Sequence, residues 1–125
     1  MRSSTMATMK GYMPAAWQTA IKPVNKATGI GGYSSATETV SDDCFLLAEV
    51  EIFGSTTYSV PGEGMQYAYY KSNSTVKNKD GSATTWWERS PRSGTSGYFC
   101  SVARSGIATH YAASGSDSIA FAFCV

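Results

Sequence analysis

Apolar residues change their spacing along this chain, and each change marks an element. Met6, Met9 and Met13 recur at helical spacing, Pro14 interrupts them, and Trp17, Ala20, Ile21 and Val24 resume the pattern. Two short helices over residues 1–24 are predicted, with Pro23 limiting the second. Each has one apolar face and needs a surface to pack on, for which a sheet is expected. Residues 25–43 hold Gly29, Gly31, Gly32, Ser34 and Ser35 and read as a flexible connector closed by Asp42 and Asp43. Residues 44–47 are continuously apolar and predict a buried strand. From Glu49 to Gly54 acids alternate with apolar residues, which predicts a strand or turn with Glu49 and Glu51 on its wet side. Pro61-Gly62 marks a turn. Residues 66–71 suggest a short helix that sets Tyr67, Tyr69 and Tyr70 against the core. Residues 77–81 are a solvated turn with an Asp-Gly signal.

The last third reads as β structure. A hairpin turning at Arg104, Ser105 and Gly106, with Gly106 in the left-handed region, sets Ala103 opposite Ile107, Ser101 opposite Thr109 and Phe99 opposite Tyr111 on one face. Cys100, Val102, Ala108 and His110 share the other face. The second set is mostly small and apolar and is expected in the core, leaving the first set to solvent or a ligand. A slip of one residue would exchange the two faces. Residues 119–125 read as a final, largely buried strand. Trp86 and Trp87 are adjacent and must point to opposite faces. Trp87 is expected in the core, with Arg89 beneath the sheet on a polar partner, and Trp86 is expected open to a ligand or a neighbouring subunit.

Composition narrows the function. The 125 residues are 42% hydrophobic and only 15% charged, as expected of one folded α+β domain over 1–125 rather than a disordered chain. The aromatic share is 13%, with eight Tyr, set among many Ser, Thr and Gly, a mixture suited to adaptable recognition surfaces. The net charge of +1, with no basic block, argues against nucleic-acid binding. No apolar run is long enough for a membrane span, and the start lacks the pattern of a signal peptide. Cys44, Cys100 and Cys124 show no metal-ligand spacing. They read as small buried side chains of a protein made in a reducing cytoplasm, with Cys100 and Cys124 the one pair that a bridge could join. No metal or cofactor is implied. The register sets His110 beside Cys100, but nothing marks that thiol as activated. The acids Asp42, Asp43, Glu49, Glu51, Glu63 and Glu88 have no spacing that fixes a catalytic pair or a calcium loop.

Several ordered blocks carry a family resemblance. They are Ile21-Lys22-Pro23-Val24-Asn25-Lys26, Phe45 through Gly54, Gln66-Tyr67-Ala68-Tyr69-Tyr70, Trp86-Trp87-Glu88-Arg89-Ser90-Pro91, Phe99-Cys100-Ser101-Val102, Gly106, and Ala120 through Val125. Together they resemble an uncharacterised domain family of gut Firmicutes and their phages, often found at the C-terminus of tail or surface proteins. That family is similar to the C-type-lectin-like fold, in the version shared with formylglycine-generating enzymes and the variable proteins of diversity-generating retroelements.

The resemblance implies a rigid scaffold whose last hairpins face a ligand. It implies Ser101, Ala103, Ser105, Ile107, Thr109, Tyr111, Gly115 and Asp117 as tolerant, ligand-facing positions, to which Trp86 is added from the strand pattern. The calcium-binding acids of sugar-binding animal lectins have no counterpart here. The start resembles the inside of the family domain, so the chain is expected to be a truncated, C-terminal portion of it, a natural short reading frame or one part of a larger particle, whose first strands could come from another chain. The expected role is a receptor-binding display module on a phage tail or bacterial surface, not an enzyme. Its partner would be a host-cell surface protein or glycan. The alternative is a structural virion subunit that works by self-assembly, for instance as a trimer.

Overall fold

The computed structural model describes the backbone of residues 2–125 and the side chains of residues 4–125. The order is α1 (Arg2–Gly11), α2 (Ala15–Ala20), β1 (Val24–Gly29), β2 (Thr37–Asp42), β3 (Cys44–Leu46), α3 (Glu49–Phe53), a 3₁₀ turn (Ala68–Lys71), β4 (Lys77–Lys79), β5 (Ser82–Thr84), β6 (Trp86–Pro91), β7 (Tyr98–Val102), β8 (Ala108–Ala112), β9 (Ser118–Ile119) and β10 (Phe121–Phe123). This is a mixed α+β arrangement of short helices and several small sheets. The largest sheet has the order β8-β7-β6-β9, and β1-β2, β10-β3 and β4-β5 form two-stranded sheets.

β6 lies inside the four-stranded sheet, and both of its faces are covered. Trp86 packs with Phe45, Leu47, Ile52 and Val102. Trp87 packs with Met6, Ile21, Cys44 and Leu46. β3 splits in the same way, sending Phe45 to one cluster and Cys44 and Leu46 to the other, so the continuous apolar run of residues 44–47 reflects burial on both sides. The expectation of an open Trp86 is therefore corrected. Its side chain is 0% exposed, and its indole N–H donates to the Thr75 carbonyl at 3.1 Å. A strand flanked on both edges and covered on both faces has no wet side.

Pro14 sits at the N-cap of α2, and Ile21 ends that helix in extended conformation. The second helix therefore stops short of Val24, which opens β1 instead. Lys22 bridges Cys124, tying the start of this segment to the end of the chain. Met6 is buried and Met9 and Met13 pack beside it, but α2 buries none of its residues.

The largest correction concerns residues 25–43. They form an antiparallel hairpin, Val24 opposite Asp42 and Gly29 opposite Thr37, and not a loose connector. The glycines fall where the chain turns, with Gly31 and Gly32 at positive φ, while the flanking stretches zip together. Residues 49–53 are a helix, not a strand, ended by Gly54 in the left-handed region at φ 73°. Glu51 accepts the Ala48 N–H at 2.9 Å, half of a capping box. The closing segment divides at Ala120 into β9, parallel to β6, and β10, antiparallel to β3, and it is half-buried rather than deeply so. All three cysteines are free, and Cys124 is exposed.

Candidate functional site: the closing hairpin and its cavity

The β7–β8 hairpin has the expected register: Phe99 faces Tyr111, Cys100 faces His110, Ser101 faces Thr109 and Val102 faces Ala108. Ala103 donates to the Ile107 carbonyl at 2.9 Å, and Gly106 closes the turn on the Ala103 carbonyl. Gly106 has φ 89°, and a Cβ there would stand 2.8 Å from Thr75 Oγ1. Only glycine meets both demands. Thr75 in turn donates to the Gly106 carbonyl at 2.6 Å, so the turn is pinned to the body.

The hairpin strands are buried next to the turn and open at the end away from it, at Tyr98, Phe99 and Tyr111. Ser101 is 0% exposed, as is Val102 on the opposite face. Ser101 therefore leaves the expected ligand-facing set, because it lies opposite Trp87 in a sheet covered on both sides. Tyr111 is 46% and Phe99 37% exposed, and they form a cross-strand aromatic pair open to solvent. Ser105 and Ile107 are exposed at the turn, Ala103 and Thr109 are half-buried, and Gly115 is exposed. Asp117 is half-buried, its Oδ2 lacks a partner, and burial raises its carboxyl above the usual range. A Cβ on Gly115 would meet the Trp87 ring at 3.6 Å, which places that position over the core tryptophan rather than along the aromatic pair.

Buried acids hold the scaffold beneath. Glu49, expected on a wet face, is fully buried and accepts from Tyr58 N–H, Ser59 N–H and the Ser59 hydroxyl. Glu63 accepts from Gly29 N–H at 2.8 Å and the Ser90 hydroxyl at 2.6 Å. Its burial outweighs these bonds and leaves its carboxyl raised. For Glu51, burial works upward too. Hydrogen bonds from Arg89, then Lys26 and Ala48, prevail and hold its carboxyl below the ordinary value. Arg89 is fully committed: Nε to the Ala27 carbonyl, Nη1 to the Leu46 carbonyl and to Glu51, and Nη2 to the Glu63 carbonyl. This is the structural fork expected of it.

Glu88 is 1% exposed, and neither of its carboxyl oxygens has a partner. Burial first, then the Glu49 and Glu63 carboxyls, push it well above the usual carboxylate range against Arg89. Burial, and next Glu88, also push the Cys100 thiol up. Burial and Arg92 lower His110. A nucleophilic thiol needs the opposite environment, so the Cys100 and His110 neighbours do not form an activated pair. Among the described residues, no His, Cys, Asp and Glu side chains group with the geometry to hold a metal ion. No described helix is long and apolar enough to cross a membrane.

A cavity of about 470 Å³ opens beside the aromatic pair. Phe99 and Ala113 form its hairpin wall; Thr28, Gly29 and Ile30 come from the β1 side and Glu38 and Asp42 from β2. That volume is within the range of ligand sites. Sequence reasoning missed this wall because it read residues 25–43 as a connector. The β-branched Thr37, Thr39 and Val40 were the available signal for a strand.

Residues 9–125 match the profile described as Domain of unknown function (DUF6273). No curated protein and no solved structure shows significant similarity to the chain.

Proposed function

We propose that this chain, which belongs to the DUF6273 family of domains of unknown function, is a ligand-binding module that recognises a partner on a cell surface, on behalf of a phage tail or a bacterial envelope. The observation that carries the reading is the Phe99–Tyr111 pair. Two aromatic side chains lie directly opposite across β7 and β8, stay open to solvent, and stand beside a cavity that Phe99 helps to line. Folding gains little from leaving them there, whereas aromatic anchors dominate binding energies. The scaffold suits display. Both faces of β6 are packed, the hairpin is buried at Ser101 and Val102 beside its turn, and that turn is bonded to Thr75, so side chains at the end away from the turn can change without disturbing the core. Ala103, Ser105, Ile107 and Thr109 offer a second patch at the turn, separated from the aromatic pair by the buried Ser101. We infer a C-type-lectin-like arrangement for the whole, supported by the helices at the start, the small sheets and the terminal hairpin set on a twice-covered sheet.

Binding of the fluorescently labelled chain to intact bacterial cells, before and after protease shaving of the cell surface, tests the role. Saturable binding that shaving removes identifies a protein receptor, and binding that resists it identifies a glycan. No saturable binding to any of a broad panel of bacterial cells would count against the module.

A second reading, a structural subunit acting by self-assembly, is favoured by the helices. α2 buries nothing, and Trp17 and Tyr12 are largely exposed, as an unfilled contact would be. A discrete oligomer in size-exclusion chromatography with light scattering, lost in Trp17→Ala, supports it; a monomer at all concentrations opposes it.

A further inference from the structure

We infer that the cavity beside Phe99 takes the side chain of a lysine or arginine presented by a protein receptor. This rests on the module reading above and chooses between the protein and glycan partners that it leaves open. Charge and shape both favour this occupant. Ile30, Phe45, Leu46, Trp87, Pro91 and Phe99 make an apolar wall suited to a chain of methylenes, which basic side chains bury readily while the charged head seeks a partner.

The head finds one on the β2 side. Glu38 lines the cavity, sits opposite Thr28 in the β1–β2 hairpin, is exposed, and makes no hydrogen bond or ion pair with any described residue. Asp42 lies in the same wall but already has a partner, so the free carboxylate is that of Glu38. Among the described residues the one base in that wall is Arg89, which is held by the Ala27, Leu46 and Glu63 carbonyls and by Glu51. Lys26 on β1 is likewise held by Glu51 and the Tyr67 hydroxyl. No cation among the described residues answers Glu38. An acidic glycan would meet carboxylates, and a neutral sugar would donate hydroxyls to them but leave their charge unanswered.

The test is a titration of the isotope-labelled full chain, followed by amide shifts in nuclear magnetic resonance. The probe is the blocked peptide Gly-Arg-Gly, with blocked Gly-Glu-Gly and lactose as comparators. The arginine peptide is expected to shift the amides of Thr28, Gly29, Phe99 and Ala113, and raising salt should weaken it. Glu38→Gln, an exposed substitution that leaves the fold intact, should lower its affinity about three- to tenfold. Silence of those amides, or equal shifts with the acidic peptide or lactose, overturns the inference. The module reading stands or falls separately. If Tyr111→Ala abolishes cell binding while the cavity amides ignore the arginine peptide, the surface is right and the cavity occupant wrong. If the arginine peptide shifts the cavity amides while Tyr111→Ala leaves cell binding intact, the cavity is right and the aromatic surface wrong.

Discussion

Arg89 Nη1 lies 2.5 Å from Glu51 Oε2, with both side chains almost wholly buried. The pair joins β6 to the first turn of α3, and Lys26 reaches the other Glu51 oxygen at 2.7 Å, bringing in β1. Three elements thus meet on one carboxylate, close to the wall of the cavity.

Removing one partner of such a pair leaves a buried charge unanswered. Arg89→Ala also strands the Ala27, Leu46 and Glu63 carbonyls. It should cost about 3–5 kcal/mol in urea unfolding. A loss below about 1 kcal/mol would show that the fork is not what joins these elements.

Glu51 and Glu88 give opposite dependences on pH. The Glu51 carboxyl is depressed in the folded protein. Its stabilisation is present above the unfolded glutamate value, about 4.3, and is lost as pH falls through the lower folded value. The Glu88 carboxyl is raised, so the folded state keeps a proton that the unfolded state gives up. Stability then declines as pH rises from about 4.3 towards the folded value, by at most about 1.4 kcal/mol per pH unit for one proton. Glu88→Gln keeps the shape and removes the titration. Thermal unfolding from pH 5 to pH 9 should show the variant gaining on the parent as pH rises; parallel curves would mean that Glu88 is ionised in the fold.

The hairpin and its scaffold were unequally legible in the sequence. The β7–β8 register could be read because Gly106 fixes the turn and the side-chain period of two does the rest. Burial along the strands could not. Alternation puts Ser101 and Trp86 on open faces, but it holds only where one face is wet, and β6 and β7 are covered on both sides at Trp86, Trp87, Ser101 and Val102. Glu49 and Glu51 look like surface residues in any window, because the groups that satisfy them, Ser59 and Arg89, lie far along the chain. The β1–β2 hairpin was hidden by its polar composition, and with it one wall of the cavity.

Trp86 and Trp17 offer a contrast in burial. Trp86→Ala should cost about 3–5 kcal/mol, since it empties a packed site and frees the Thr75 carbonyl. Trp17 is mostly exposed, and Trp17→Ala should change monomer stability by less than about 0.5 kcal/mol. Equal losses in denaturant unfolding would show that α2 is bound more firmly than its exposure indicates.

Gly106→Ala tests the turn. The positive φ and the approach to Thr75 Oγ1 together should cost about 1–3 kcal/mol and broaden the amide signals of residues 103–107. A neutral substitution would mean that the turn can relax away from Thr75.

The most direct measurement compares Tyr111→Ala and Phe99→Ala with the parent for cell-surface binding and for melting temperature, side by side. Loss of binding by about tenfold or more, with melting shifted by no more than a few degrees, is what a display surface predicts. Full binding by both variants, or a collapse of the fold in either, would contradict it.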